Sequence, residues 1–394
     1  MNSTPHWNRN LEYYITDLLS ENSSDIKSIS QNIVSHYKNS YITKSDEKLL
    51  GLFFKENVSQ KDLDNFLNEW DIEKEGAHKA LMLSYFMKNH PELTYSPYIE
   101  PRLNGILKYY RFRNLNLTSH FKKICTAIKN KNIDILIIKG GAFRHYRPEF
   151  PRIMGDIDIF VPQKDYKKAK KTALELGYQF EEFPHSIDLH DPKTKINLLD
   201  IHHKLDTQTS AGYSVYKDLF GRAHKDCVFN VNNIYIPCPE DMMFLLLINL
   251  NKNMAQNTSF PSILYSITDS AYLINMKPDF DWNIVRENAV KTKTEYQVAI
   301  TLKFLNQFVP VKFPEMFENE FYDKSILCLY NGLFLDKMRQ KSHSLIFKEI
   351  FKKSDDLIYY LKFRPSYIVY KQKFIRNNVN LAKFVLKHQN LIEK

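Results

Sequence analysis

The sequence lacks the cysteine spacing, the long apolar runs and the glycine content that mark several large classes of protein. Its four cysteines are scattered and include no Cys-x-x-Cys pair, which argues against a zinc ribbon. The longest uninterrupted apolar run, residues 242–248, ends at Asn249 and is too short to span a bilayer. With only 10 glycines and 16 prolines in 394 residues, long flexible linkers are not expected.

Several well-known functional motifs are also missing. There is no Walker A motif, no dinucleotide-binding glycine fingerprint and no Gly-x-Ser-x-Gly element. The first residues, from Met1 to Pro5, lack the basic and apolar regions of a signal peptide. These absences predict a reduced, cytoplasmic and soluble protein without a membrane span.

The composition is that of a globular protein with a moderate excess of positive charge. Hydrophobic residues make up 43% and charged residues 25% of the chain, and the net charge is +10. This charge is compatible with an anionic partner such as a nucleotide, RNA or an acidic surface, but does not require one.

The hydrophobic patterns divide the chain into a helical region, a mixed core and a second helical region. Residues 1–115 and 239–394 have helical periodicity, and residues 116–238 alternate strands with helices in an α/β or α+β core. We predict separate helices at 101–115 and 117–130. The predicted strands lie at 133–138, 157–161, 179–183, 186–190, 195–202 and 230–237. Beyond Asn331 the chain is rich in Lys and Arg with interleaved aromatics, which favours an amphipathic helix pair over a nucleic-acid groove.

Two aspartates in one predicted strand form the strongest chemical signal. Asp156 and Asp158 are two residues apart, so in a strand both carboxylates project from one face. Without a cation they would repel each other. A solvent-facing strand would also tolerate two acids, but a divalent-cation site explains the pair better.

A third acid is expected from a neighbouring strand. Asp200 lies in an otherwise apolar strand, where an unpaired carboxylate would be costly, and it shares a face with His202. Asp188 and Asp206 are weaker candidates. Four histidines fall within residues 185–203, but their spacing does not match a helical zinc motif, so we expect His202 to orient Asp200 or contact a phosphate.

A glycine pair and two cations flank the predicted acid site. Gly140 and Gly141 follow the strand at 133–138, where glycines let backbone amides approach a phosphate closely. A plain tight turn would explain the pair equally well. Lys139 and Arg152 stand on either side and are suited to neutralise phosphate charge.

Taken together, these motifs resemble the polymerase-β-type nucleotidyltransferase superfamily, and more narrowly its branch of uncharacterised bacterial nucleotidyltransferases. The resemblance covers roughly residues 100–300. It is carried by Lys139-Gly140, Arg152, Gly155-Asp156-Ile157-Asp158, Asp200-Ile201-His202 and the helix that begins at Pro239-Glu240-Asp241.

The resemblance implies an α+β fold, with a small mixed β-sheet as the nucleotidyltransferase core and helical regions on both sides. It implies that Asp156, Asp158 and Asp200 bind two Mg²⁺ ions, with Mn²⁺ as an alternative. It also implies an NTP substrate, whose nucleoside monophosphate passes to an acceptor with release of pyrophosphate. In that scheme Lys139, Gly140, Gly141, Arg152 and His202 form the nucleotide-binding set.

The chain departs from the superfamily pattern at three places. Gly141 stands where a serine is more common, and the gap from Gly141 to Asp156 is longer than usual. The helix after Pro239 ends with Asn249, Asn251 and Asn253 where histidines are usual.

Two other functions remain open on the sequence alone. Asp-x-Asp also occurs in glycosyltransferases that use sugar nucleotides, although the helical residues 1–110 do not fit the architecture of that class. A non-catalytic module that binds a nucleotide or RNA is the other alternative. The acceptor, whether a small molecule, a protein side chain or an RNA end, is not predicted.

Overall fold

A computed structural model describes residues 26–317, apart from 184, 195, 206–214, 226–228, 230, 232–233, 257–259, 293 and 312. Three features predicted from the sequence lie outside the described residues: the first 25 residues of the predicted helical region, the candidate acid Asp206 and the basic tail beyond Asn331.

The described part of the chain begins with helices, as predicted. In chain order they are α1 (Ile26–Tyr41), α2 (Lys44–Phe53), α3 (Gln60–Leu67), α4 (Ala77–Asn89) and α5 (Ile99–Lys129). Helix α3 starts with a capping box, in which the Asp62 carboxylate accepts from the Ser59 amide at 2.9 Å and the Ser59 hydroxyl accepts from the Asp62 amide at 3.3 Å.

Helix α5 is a single helix of 31 residues, so the prediction of two helices at 101–115 and 117–130 was wrong. Pro101 is tolerated because it lies in the first turn, where backbone amides have no intrahelical partner. Gly105 faces open space and does not interrupt the helix. The domain boundary at residue 115 stays a prediction and falls within this helix.

The middle of the chain forms a seven-stranded mixed sheet. Its elements are β1 (Ile135–Ile137), α6 (Lys139–Tyr146), β2 (Ile157–Phe160), α7 (Gln163–Glu175), β3 (Gln179–Glu182), β4 (Ser186–His190), β5 (Asn197–His202), α8 (Tyr216–Arg222), β6 (His224–Lys225) and β7 (Ile234–Ile236). The spatial strand order is β3-β4-β5-β2-β1-β7-β6. Each of the six predicted strands is confirmed, β4 with the predicted bounds and the other five with shorter bounds, whereas the short α8 and β6 were not predicted.

The register of the sheet brings acids from three strands into one row. Parallel pairing of β2 with β5 places Asp158 beside Asp200. Antiparallel pairing of β4 with β5 places Asp188 on the other side of Asp200. The two glycines lie just after β1, and β1 pairs with β2 on the edge of β2 that faces away from β5.

Up to residue 317, where the described chain ends, four more helices follow the sheet. The fold is therefore α+β, with helical regions before and after the sheet in the sequence. They are α9 (Pro239–Gln256), α10 (Phe260–Asn275), α11 (Trp282–Thr292) and α12 (Glu295–Leu305). Helix α9 lies at the centre of this group, with Met243, Phe244 and Leu247 fully buried. The Tyr41 hydroxyl of α1 donates to the carbonyl of Met254, which ties the first described helix to α9. In the part of the chain that the structure describes, no helix combines the length and apolarity needed to cross a bilayer.

Candidate active site

The turn between β1 and α6 has an unusual backbone conformation at Lys139. Its φ angle is +50°, in the left-handed region that residues other than glycine rarely adopt. Such a conformation costs on the order of 1–3 kcal/mol and persists only where the surroundings fix it. Lys139 is the first residue of α6, so the strain sets the direction in which the helix and its lysine side chain leave the sheet.

The two glycines have different surroundings. A Cβ placed at Gly140 would have only the Arg152 Nε, 3.9 Å away, as a neighbour. A Cβ at Gly141 would lie 2.9 Å from the Ile137 Cγ2 and 3.0 Å from the Ile157 Cγ2. Gly141 is therefore required for close packing of α6 on β1 and β2, which accounts for the missing serine at this position.

Asp158, Asp200 and His202 converge beside this turn. Each offers one ligand atom, and these atoms lie within 4.8 Å of one another. The His202 Nε2 is 3.0 Å from the Asp158 Oδ1 and 2.8 Å from the Asp200 Oδ2. Burial and Lys139 oppose a charge on His202, but Asp200 and the hydrogen bonds with both carboxylates raise its pKa.

The Lys139 ammonium enters the same cluster. Its Nζ lies 2.5 Å from the Asp158 Oδ1 and 3.4 Å from the His202 Nε2. Burial opposes the charge, but the carboxylates of Asp158 and Asp200 raise the pKa of Lys139. On the Asp158 carboxyl, burial is likewise outweighed by Lys139 and His202, and its pKa is lowered.

Two further carboxyl groups lie at the edge of this cluster. Asp156 precedes β2, and burial together with the charge of Asp158 raises its pKa to about 7. Asp188 lies opposite Asp200 in the sheet, and burial together with the charge of Asp200 raises its pKa to about 7. Both shifts arise first from burial and then from a neighbouring carboxylate, so the two groups resist ionisation where they stand.

The residues present fit a hard divalent cation. The Asp200 Oδ1 is buried and has no hydrogen-bond partner among the residues that the structure describes, which is costly for a carboxylate oxygen. Carboxylate oxygens are the donors that Mg²⁺ and Mn²⁺ prefer. Among the described residues, this is the cluster of acids and histidines with ligand atoms close enough for a metal ion. Asp156 and Asp188 could complete its oxygen donor set.

Arg152 lies near the glycine turn but is held from the opposite side. Its guanidinium donates to the Asp269 Oδ2 at 2.9 Å, and Arg147 lies 3.4 Å from the Asp269 Oδ1. Asp269 is 1% exposed and Arg152 is 9% exposed. The Arg152 side chain therefore connects α10 to the turn, and its Nε is the atom that faces Gly140.

Helix α9 also reaches the acid cluster. Asn249 and Lys252 line a small cavity of about 30 Å³ together with Lys139 and His202. Asn253 points elsewhere, because its amide donates to the Ser262 hydroxyl at 2.9 Å. Where the superfamily usually has histidines in this helix, the chain therefore brings the amide of Asn249 and the ammonium group of Lys252 to the site.

The other histidines of residues 185–203 do not assemble a zinc site. His185 lies with its ring 5.5 Å from that of His202, and burial, His202 and Lys252 lower its pKa to about 3. His203 stacks at 4.1 Å on Tyr166, on the opposite face of β5 from His202.

Sequence reasoning ranked Asp188 low and overlooked Lys252 and Asp269 as neighbours of the site. The position of Asp188 follows from the hairpin, since pairing β4 with β5 across residues 191–196 brings it opposite Asp200. Lys252 lies three residues after Asn249, one helical turn beyond the apolar run, but nothing local indicates which way that turn faces. Asp269 is 117 residues from Arg152, so no spacing rule connects them.

Comparison with known proteins identifies the family. Five chains of solved structures match this chain, and two of them are nucleotidyltransferases or nucleotidyltransferase-like proteins. The antibiotic-resistance factor ANT(2'')-Ia has 14% identity and a TM-score of 0.35, with 46% of this chain and 94% of that chain covered. An antigenic nucleotidyltransferase-like protein from Paracoccidioides brasiliensis has 12% identity and a TM-score of 0.31, with 50% and 94% covered.

No curated protein matches the sequence significantly. Residues 79–310, more than half of the chain, match the family described as uncharacterised nucleotidyltransferase, so the glycosyltransferase alternative is not favoured. The chain therefore belongs to this nucleotidyltransferase family and is an enzyme that transfers nucleotidyl groups.

Proposed function

We propose that this enzyme is a Mg²⁺-dependent nucleotidyltransferase that moves a nucleoside monophosphate from an NTP to an acceptor and releases pyrophosphate. The observation that carries the proposal is the convergence of Asp158, Asp200 and His202 within 4.8 Å, next to the Lys139 ammonium and the glycine turn. In the reaction an acceptor oxygen bonds to the α-phosphorus, the bond from that phosphorus to pyrophosphate breaks, and the acceptor loses its proton.

Asp156, Asp158 and Asp200 would hold the metal, as two Mg²⁺ ions or alternatively Mn²⁺. When bound, the metal supplies a Lewis acid to the acceptor oxygen and to the phosphate oxygens. His202 keeps Asp158 and Asp200 in fixed orientation, because its Nε2 lies within 3.0 Å of both carboxylates. Asp158 and Asp200 lie side by side on a strand pair fixed in parallel register, which makes their spacing rigid, and Asp156 directly precedes the first of these strands.

The cations around the acids would bind the triphosphate. Lys139 and Lys252 line the cavity beside His202, and both would offer an ammonium to the phosphate tail. The backbone of Gly140 at the start of α6 is open to a ligand, because no atom except the Arg152 Nε lies within 4 Å of where its Cβ would be. Arg152 would add positive charge from behind this turn while Asp269 fixes its position.

The test uses a second Asp-x-Asp pair in the chain as a matched control. Asp279 and Asp281 are exposed, lie before α11 and have the same spacing as Asp156 and Asp158. We expect the double variant Asp156→Asn/Asp158→Asn to lose labelled transfer and pyrophosphate release from each of the four NTPs, with cell extract as the acceptor source. The double variant Asp279→Asn/Asp281→Asn should keep both activities.

Metal binding has a separate readout. Mn²⁺ titration followed by electron paramagnetic resonance should show bound ions in the wild type and in the Asp279/Asp281 control, but weaker binding in the Asp156/Asp158 variant. Transfer that survives in the Asp156/Asp158 variant would reject the site. NTP binding without pyrophosphate release would favour the non-catalytic alternative, and use of UDP-sugars instead of free NTPs would favour glycosyl transfer.

A further inference from the structure

The middle of helix α5 is unusually exposed for a helix of a globular protein. Leu103 and Leu117 are buried against the rest of the molecule, but no residue between them is. This stretch, residues 104–116, extends over about 20 Å. It carries large exposed side chains at Tyr109 (62%), Phe112 (75%) and Leu115 (65%). Contiguous exposed apolar groups of this kind usually mark a binding surface.

The same stretch is strongly positive. Helix α5 contains seven Lys and Arg residues and one acid, Glu100. Among the described residues, no carboxylate lies within ion-pair distance of Lys108, Arg111 or Arg113, whereas Arg102 near the start of the helix is paired with Glu73. Positions 108, 111, 112 and 115 share one helix face, so the unpaired cations stand beside the exposed ring of Phe112.

A cleft of about 300 Å³ runs alongside this face. One wall is α5, with Tyr110, Arg111 and Asn114, and the other includes Arg144 and Arg152. The Asn114 amide donates to the carbonyl of Arg152 at 2.8 Å, but its Oδ1 is buried and lacks a donor among the described residues. The cleft thus has cations on both walls and one carboxylate, that of Glu149, which pairs with Lys88.

The cleft and the glycine turn of the candidate active site share one residue, Arg152. The backbone of this residue is held by Asn114 of α5, and its Nε faces Gly140 at the start of α6. The cleft along α5 therefore adjoins the turn that precedes the acids.

We propose that residues 104–116 of α5 and this cleft bind a single-stranded nucleic acid that is the acceptor of the transfer reaction, an inference that rests on the proposed function. Backbone phosphates pair with Lys108 and Arg111, and unstacked bases lie on the rings of Tyr109 and Phe112. Charge complementarity and accessible aromatic rings favour a strand over a neutral protein partner.

Strand binding is tested without NTP or divalent metal, so that it is independent of catalysis. Labelled single-stranded RNA and DNA of about twelve nucleotides, a length within the usual site sizes, are titrated by fluorescence anisotropy. We expect Arg111→Ala/Phe112→Ala to weaken binding of the preferred strand about 5- to 150-fold, the effect of losing one stacked base. Loss of the Arg111 contact should also reduce the slope of log K against log salt by about 0.7.

A second aromatic–cation pair provides the matched control. Phe180 is 42% exposed and Lys170 lies 4.4 Å from the centre of its ring, on the far edge of the sheet. Lys170→Ala/Phe180→Ala should bind the strand as the wild type does. Equal affinity of the wild type and the α5 variant, equal losses in both double variants, or displacement of the strand by polyglutamate at matched charge would overturn the proposal.

Transfer to the strand separates this proposal from the proposed function. With labelled NTP, the wild type should label whichever of RNA or DNA it binds, and the α5 variant should show a raised KM for that strand with the KM for NTP unchanged. If extract components are labelled and the bound strand is not, the nucleic-acid acceptor is wrong while nucleotidyl transfer stands. If the strand binds and nothing is ever labelled, the proposed function fails.

Discussion

The buried carboxylate of Asp269 gives a prediction whose size follows from the structure. Asp269 is 1% exposed and accepts hydrogen bonds from Arg152 at 2.9 Å and Arg147 at 3.4 Å. Asp269→Asn keeps the shape but removes the charge, so two guanidinium groups are left buried without a counterion. Removing one partner of a buried ion pair costs about 3–5 kcal/mol. We therefore expect the free energy of unfolding to fall by that amount.

The control is an ion pair of similar chemistry at the surface. Glu149 and Lys88 lie 2.5 Å apart, with side chains that are 69% and 57% exposed. Exposed pairs contribute about 0–1 kcal/mol, so Glu149→Gln should be nearly neutral. Urea unfolding followed by tryptophan fluorescence and by circular dichroism measures both variants. A loss below about 1 kcal/mol for Asp269→Asn, or equal losses in the two variants, would refute the reasoning.

Three further predictions concern the glycine turn, the start of α9 and the cavity beside His202. Gly141→Ala should destabilise the protein by about 1–3 kcal/mol, because its Cβ would lie 2.9 Å from Ile137, whereas Gly140→Ala should be tolerated; equal thermal shifts would contradict this. Burial opposes the charge of Glu240, but its hydrogen bond with Lys277 lowers its pKa. The stability that this interaction contributes is therefore present above the unfolded pKa of about 4, and it is lost as the pH falls through the lower pKa of the folded state. Lys277→Met should flatten that part of the stability–pH profile, and an unchanged profile would contradict the assignment. Lys252→Ala should weaken NTP binding about 10- to 100-fold, as expected for a lost charge-assisted contact; isothermal titration showing wild-type affinity would exclude it.

The sheet was predictable because its signals are local. The runs that became β1 and β2 are fully buried and mainly apolar, and short apolar runs bounded by turn residues indicate such strands. Once β4 and β5 are taken as a hairpin, period-two geometry fixes which residues face each other. The short α8 and β6 escaped prediction because elements of 7 and 2 residues carry too little periodicity.

The candidate site was predictable only in part, because its outer contacts join distant segments. Asp156, Asp158 and Asp200 were chosen from strand parity and from the cost of an acid among apolar residues, both of which are local arguments. The sequence suggested that Arg152 faces a phosphate, but the structure adds Asp269, a partner that no pattern in either segment indicates. Likewise, the direction of Lys252 depends on how α9 packs on the sheet, which its own amphipathicity does not determine.

Lys139 shows how backbone and charge act together at this site. A left-handed lysine is unfavourable in isolation, yet this conformation lets the chain leave β1 and enter α6 with the ammonium 2.5 Å from Asp158. Because burial raises the free energy of every nearby carboxylate, the interaction that Lys139 gains there offsets the strain of its backbone. In the same crowded cluster, the Asp200 Oδ1 has no hydrogen-bond partner among the described residues. One lysine therefore stabilises the fold of the site, and under the proposed function the carboxylates beside it would hold the divalent cation.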